Sequence, residues 1–142
     1  MREDATAMTH RTELRVRFYE LDPYDHVNHT NYLAYFETAR IEYLTDLGFG
    51  MDVLKRQGHQ LVVVELAARF VSTAGLHDAL TITTEVGEVG RATSTWHQEM
   101  WRGDELIATL DVKAAFTDLA GRPKRVPVDF RAAALPPDAR EP

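Results

Sequence analysis

Between Arg15 and Gly48 the chain passes from the hydrophobic period of a strand to that of a helix, and the dipeptide Asp22-Pro23 marks the change. Leu14, Val16 and Phe18 alternate with Arg15, Arg17 and Tyr19, the pattern of a strand with one buried face. Proline lacks an amide donor and pushes the residue before it away from helix, so the strand is expected to end at Leu21-Asp22-Pro23. From about Asn31 to Leu47 the apolar residues Leu33, Phe36, Tyr43, Leu44 and Leu47 fall on one helical stripe, with Ala39 allowing close approach. Thr30 or Asn28 can cap its start and Gly48 stops its end. Tyr32, Tyr35, Phe36 and Tyr43 spread over more than one face. Such a helix has to be wrapped by other elements.

The remainder supplies the wrapping. Residues 51–58 read as a short helix or loop ending at Gly58. Four strand-like runs follow: Gln60 to Val71, Leu80 to Val89, Ala92 to Trp101 and Glu105 to Phe116. Short turns rich in Gly, Asp and Ser/Thr separate them, so successive strands are expected to pair antiparallel as a meander. One strand, one long helix and four strands define an α+β domain, a five-stranded antiparallel sheet wrapped around one long central helix. That arrangement is the hotdog fold. A chain of 142 residues fits a single domain, expected over 13–130, with a mobile N-terminal tail at 1–12 and a C-terminal tail at 131–142.

Composition removes several functions. With no cysteine the chain has no thiolate nucleophile, disulfide frame or thiolate zinc site. A formal charge of −6 argues against nucleic acid as a partner. No apolar run is longer than Leu61 to Val64, and the first ten residues lack the apolar core of a signal peptide, so no membrane partner and a cytoplasmic location are expected. His26 and His29 have no third histidine nearby, and no metal or other cofactor is expected.

The run from Val16 to Arg40, VRFYELDPYDHVNHTNYLAYFETAR, resembles the N-terminal motif of the 4-hydroxybenzoyl-CoA thioesterase branch of hotdog acyl-CoA thioesterases. The likeness continues through Ala68 to Val71, Asp78-Ala79-Leu80 and Gly121-Arg122-Pro123, and spans about residues 13–130. It implies hydrolysis of an acyl-CoA thioester, with Asp22 as the catalytic carboxylate, acting as nucleophile or as general base on water. Free N–H groups at a helix start can stabilise the oxyanion, which points to the backbone of His29, or of Thr30 or Asn31 beside it. His26, Asn28 and Asn31 are the expected substrate-facing positions of the turn. Arg91, Lys124 and Arg125 are the expected partners of the coenzyme phosphates. The net negative charge favours CoA over an acidic acyl carrier protein.

The chain departs from the resembled pattern where Asp25 and His77 replace frequent glycines and Thr73 a frequent proline. Asp25 reads as a solvated turn residue or a second carboxylate beside Asp22. Glu65 is expected to pair with Arg69 or with a partner chain. The resemblance also implies a homodimer or homotetramer. Two alternatives remain: a hotdog enoyl-CoA hydratase or dehydratase using Asp22 with His26, and a non-catalytic acyl-thioester-binding module.

Overall fold

The computed structural model describes residues 9–135. Strands β1 (His10–Arg15), β2 (Gln60–Phe70), β3 (Ala79–Val89), β4 (Thr93–Arg102) and β5 (Glu105–Thr117) form one antiparallel sheet. Three helices accompany it, α1 (His29–Asp46), α2 (Met51–Arg56) and α3 (Val128–Ala134). The strand order is β1-β3-β4-β5-β2. The architecture is the expected hotdog, in which the sheet curls round α1.

Alternation explains the wrap. Ser94, Trp96, Gln98 and Met100 of β4 point inward while Thr95, His97 and Glu99 face out, and Leu80, Ile82 and Thr84 of β3 share the inner face. Of these, Trp96, Met100, Leu80 and Ile82 join Phe36, Ala39, Tyr43 and Leu44 of α1 in one buried cluster. Gln98 stitches helix to sheet. Its Nε2 donates to the Phe36 carbonyl at 2.9 Å and to Thr84 Oγ1 at 3.0 Å, and its Oε1 accepts from Arg40 Nη1 at 2.9 Å. A fully buried amide with all these partners costs little and fixes the helix at one height on the sheet.

Several boundaries differ from the sequence reading. The strand expected from Glu13 begins at His10, so residues 10–12 are not tail. The inward positions there are taken by polar residues: Thr12 is buried, and the His10 ring packs edge-on against Tyr43 while its Nε2 lies 2.7 Å from Asp46. At the other end the strand stops at Arg15, and Phe18–Glu20 form a 3-10 turn. The expected inward residue Phe18 is therefore turned out to solvent, because the chain rotates to bury Glu20. The helix starts two residues earlier than expected, at His29, because Asn28 caps it.

The meander holds only for β3, β4 and β5. β2 pairs with β5, not with β3, and β1 takes the place beside β3. The connection 71–78 crosses the end of the sheet, where the Val71 and Ser72 amides donate to the Ile107 carbonyl. Residue 131 does not begin a tail, since α3 continues through it and buries Phe130 and Ala134. The rest of the expected tails, 1–8 and 136–142, lies outside the described residues.

β2 is an edge strand with a bulge at Val64, where the register passes from Val63↔Ala114 to Glu65↔Lys113. Val62, Val63, Val64, Leu66 and Phe70 are exposed along it. Glu65 is exposed too, and no ion pair joins it to Arg69 among the described residues. No helix of the described residues is long and apolar enough to cross a membrane.

Candidate active site

The turn between β1 and α1 is built on Asp22. Its amide donates to the His26 carbonyl at 2.7 Å, and its carbonyl accepts from the Asp25 amide at 3.0 Å. Its side-chain Oδ1 accepts from the amides of Tyr24 at 2.8 Å and His26 at 3.3 Å. One carboxylate oxygen is thus committed to shaping the turn. Oδ2 has no hydrogen-bond partner among the described residues.

Asp25 closes this loop with a φ of 61°, and His77 has a φ of 65°; they are the positive-φ non-glycine residues of the described chain. Both stand where the resembled family often has glycine. Left-handed backbone is the reason glycine suits these positions, and aspartate tolerates it better than most residues. Asp25 is exposed and meets Asp22 through its backbone, which makes it a turn residue.

Across the turn, the first amides of α1 divide by use. Thr30 N donates to the Asn28 side chain at 2.9 Å, and Asn31 N donates to the Asn28 carbonyl at 2.8 Å. The His29 amide has no acceptor among the described residues. It is a free donor at the positive end of an eighteen-residue helix.

Glu20, which the sequence reading passed over, holds both sides in place. Its Oε1 accepts from Arg17 N at 2.9 Å and from the Tyr35 hydroxyl at 2.7 Å. Its carbonyl accepts from Asn28 N at 3.0 Å and from Asn31 Nδ2 at 2.9 Å. Burial, reinforced by the Glu20 carboxylate, raises the Tyr35 hydroxyl above its ordinary range, so it remains a donor. The signal was in the sequence only as a carboxylate ending the strand and two tyrosines spaced along one helical face. Period-two alternation puts Glu20 in phase with Leu14, Val16 and Phe18, but a carboxylate there carries no apolar signal, and that hid it.

The far wall is the 71–78 connection. Ala74 N donates to Tyr32 Oη at 2.9 Å, and the Ala74 carbonyl accepts from Val27 N at 2.9 Å. Tyr32 is raised chiefly by burial, and the Asp22 charge is near enough to add to the shift. Arg102 anchors this wall: Nη1 meets Asp78 Oδ2 at 2.6 Å and the Thr73 carbonyl at 3.1 Å, and Nη2 meets Glu105 at 2.6 Å. Burial alone would raise the Asp78 carboxyl, but the Gly75 amide and Arg102 hold it below the ordinary value.

The expected substrate positions divide into two groups. His26, Asn28 and Asn31 are at the Asp22 turn, yet the side chains of Asn28 and Asn31 serve the helix cap and the Glu20 carbonyl, and His26 meets Asp22 through its backbone. The Asp–His side-chain pair a hydratase would need is not formed there. Arg91, Lys124 and Arg125 are elsewhere. Arg91 follows β3 at the end away from Asp78, and the eleven residues of β3 at about 3.3 Å each put roughly 30 Å between the two ends. Lys124 Nζ donates to the Gly58 carbonyl at 3.1 Å, and the Arg91 carbonyl accepts from Val126 N at 2.8 Å. One chain alone does not bring these cations to Asp22.

That distant end contains a cavity of about 630 Å³ between α1, α2 and the start of β2, lined by Ile41, Leu44, Met51, Leu61, Val63 and Trp96 among others. Arg40 is its half-buried cation. Burial lowers the guanidinium and the neighbouring Glu37 raises it.

A five-stranded antiparallel sheet curled round one long helix is the architecture the chain shares with hotdog thioesterases. The thioesterase-like superfamily model matches residues 16–142, and the chain belongs to that family. It is 36% identical over 122 residues to the acyl-CoA thioesterase YbgC of Haemophilus influenzae, covering 84% of this chain and 90% of that protein. The acyl-acyl carrier protein thioesterase ATL3 of Arabidopsis thaliana is 29% identical over 86% of this chain and 65% of its own length. Among solved structures, a probable thioesterase from Bartonella henselae superposes with a TM-score of 0.80 at 29% identity, covering 84% of this chain and 99% of that one.

Proposed function

We propose that the protein hydrolyses acyl-CoA thioesters at the Asp22 turn. The observation that carries this reading is that two groups flanking one turn have no partner among the described residues, Asp22 Oδ2 and the His29 amide. A thioester carbonyl placed between them meets a carboxylate on one side and a helix-terminal donor on the other. Asp22 attacks the carbonyl carbon directly, giving an enzyme anhydride that water then opens, or it takes a proton from a water that attacks in its place. Either way the carbon–sulfur bond breaks, CoA leaves as its thiolate, and the acyl group departs as a free acid. The His29 N–H meets the oxyanion as it forms, where a preorganised donor is worth more than it would be in water. Similarity to the Haemophilus acyl-CoA thioesterase supports CoA as the thiol.

The working unit of this reading is a homodimer. β2 offers an unpaired edge studded with exposed valines and leucine, a surface that needs pairing or covering. Antiparallel pairing of two β2 edges about a two-fold axis brings the Phe70 end of one chain to the Gln60 end of the other. The cavity beside Leu61 and Val63 then faces the partner's Asp22 turn and is placed to take the acyl group. Arg91, Lys124 and Arg125 reach an Asp22 only across such an axis. Thiol release from short, long and aromatic acyl-CoAs tests the activity. Release from none of them moves the protein to the class of acyl-thioester-binding modules.

A further inference from the structure

The cavity beside Leu61 and Val63 has apolar walls, yet two polar groups along it are short of partners. Ile41, Leu44, Leu61 and Trp96 line it, and so do Arg40 and His59. Arg40 uses one donor, Nη1, on Gln98 Oε1 at 2.9 Å, and forms no ion pair among the described residues. Glu37, three residues back on α1, is exposed and acts on the guanidinium through space without bonding it. His59 Nδ1 is buried and has no hydrogen-bond partner among the described residues, while its ring sits edge-on to Phe116 at 6.2 Å. Burial, then the Lys124 charge, lowers His59, so the ring is neutral and has one N–H to donate. The other charged residues of the lining, Asp52 and Lys55, are exposed, and Asp52 meets Arg56 at 3.5 Å.

A half-buried cation without a counter-ion is costly, and so is a buried nitrogen without a partner. Two such groups on one cavity point to a ligand that brings an acceptor to both. A guanidinium matches a carboxylate through paired bonds, and Gln98 already holds the Arg40 head in place. An alkyl or plain aromatic acyl group would cover the walls but strand both groups. We infer that the preferred acyl group ends in a carboxylate, which pairs with Arg40 and accepts from His59 Nδ1 while its stem lies against Ile41, Leu44, Leu61 and Trp96. The substrate class is then the CoA monothioester of a dicarboxylic acid. Hydrolysis takes up one water, breaks the carbon–sulfur bond and releases the dicarboxylic acid and the free thiol. This deepens the thioesterase reading and rests on it for the place of the reacting carbonyl, at the partner's Asp22 turn.

The test sets ω-carboxyacyl-CoAs of increasing length against the unsubstituted acyl-CoA and the ω-methyl ester of each length. Hydrolysis is followed by thiol release and binding by calorimetry, both on the full chain. At the best-fitting length, wild type is expected to favour the carboxylate over both uncharged partners by about tenfold or more in kcat/KM and in affinity. Arg40→Met is expected to reverse that order, because it removes the paired donors and adds apolar surface. Damage to the fold would lower all three substrates together and leave their order unchanged. His59→Phe is expected to reduce the preference by about threefold or more. Wild type that treats the unsubstituted acyl-CoA as well as the carboxylate overturns the assignment while the hydrolase reading stands. An unchanged order in Arg40→Met overturns it too. So does an unchanged preference in His59→Phe, which keeps the Gln98 contact and decides the matter if Arg40→Met does not fold. If wild type hydrolyses none of the thioesters but binds the carboxylate more tightly than its methyl ester, and Arg40→Met abolishes the difference, the hydrolase reading fails and the pocket assignment stands.

Discussion

The Tyr35 hydroxyl donates a 2.7 Å hydrogen bond to the buried carboxylate of Glu20, and that bond joins the 3-10 turn after the first strand to the central helix beside the Asp22 turn. Glu20 also receives the Arg17 amide, and its carbonyl receives Asn28 and Asn31. The arrangement of Asp22 against the start of α1 therefore depends on a residue that is almost wholly buried beneath it.

Tyr35→Phe removes that donor and leaves a buried carboxylate short of a partner. Urea unfolding is expected to show a loss of about 1.5–3 kcal/mol, the range for a hydrogen bond to a charged group. The double change Glu20→Gln with Tyr35→Phe is expected to cost less than the sum of the single ones, because the two side chains act as one unit.

Asp25→Gly is expected to hold wild-type turnover and to change stability by less than about 1 kcal/mol, since relief of left-handed backbone and the added entropy of glycine offset each other. Asp25→Val, with a branched side chain at φ 61°, is expected to lose more stability than that. Thermal unfolding and thiol release on the same samples check both. A fall in turnover with Asp25→Gly would restore Asp25 as a second working carboxylate.

His97 on the outer face of the sheet sits between Asp111, 2.8 Å from Nδ1, and Glu99, 3.0 Å from Nε2. Burial disfavours its charged form, but hydrogen bonds to the two carboxylates win and raise its pKa above the ordinary value. A pKa raised on folding stabilises the protein most below the unfolded value, about 6.5, and the gain is lost as pH rises through the folded value. Wild type is thus expected to lose stability relative to His97→Gln as pH climbs from the acid side of neutrality to the alkaline side. Partial exposure keeps the effect small. Unfolding curves across that pH range measure it.

Lysine at both Val62 and Val64 puts charge on the open edge of β2. Sedimentation is expected to show the dimer giving way to monomer, with hydrolysis falling in step. A monomer of undiminished activity would show that each chain completes its own site.

The wrapping of a many-faced aromatic helix by five strands was legible because hydrophobic period and turn chemistry agree along most of the chain. What escaped was set by distant pairings. β2 leaves the meander because the 71–78 connection crosses the sheet end and pairs with Ile107, a choice no local pattern records. Glu20 escaped because a carboxylate reads as solvent-facing even in the inward phase of the strand pattern, while its burial depends on Tyr35, fifteen residues on. At the candidate site, Asp22 was named from the family resemblance and the His29 amide from its place at a helix start. Asn28 was legible as one of two candidate caps, but the bond from Asn31 to the Glu20 carbonyl was not, because a structural contact and a substrate contact call for the same amide side chain.

The central claim is that Asp22 acts on the thioester carbonyl, and thiol release by Asp22→Asn tests it most directly. The asparagine side-chain oxygen still accepts the Tyr24 and His26 amides, so the turn and fold are kept while the reactive carboxylate is gone. With circular dichroism and unfolding midpoint near wild type, kcat is expected to fall by about 10²–10⁴-fold. Release at the wild-type rate from this variant would contradict the account.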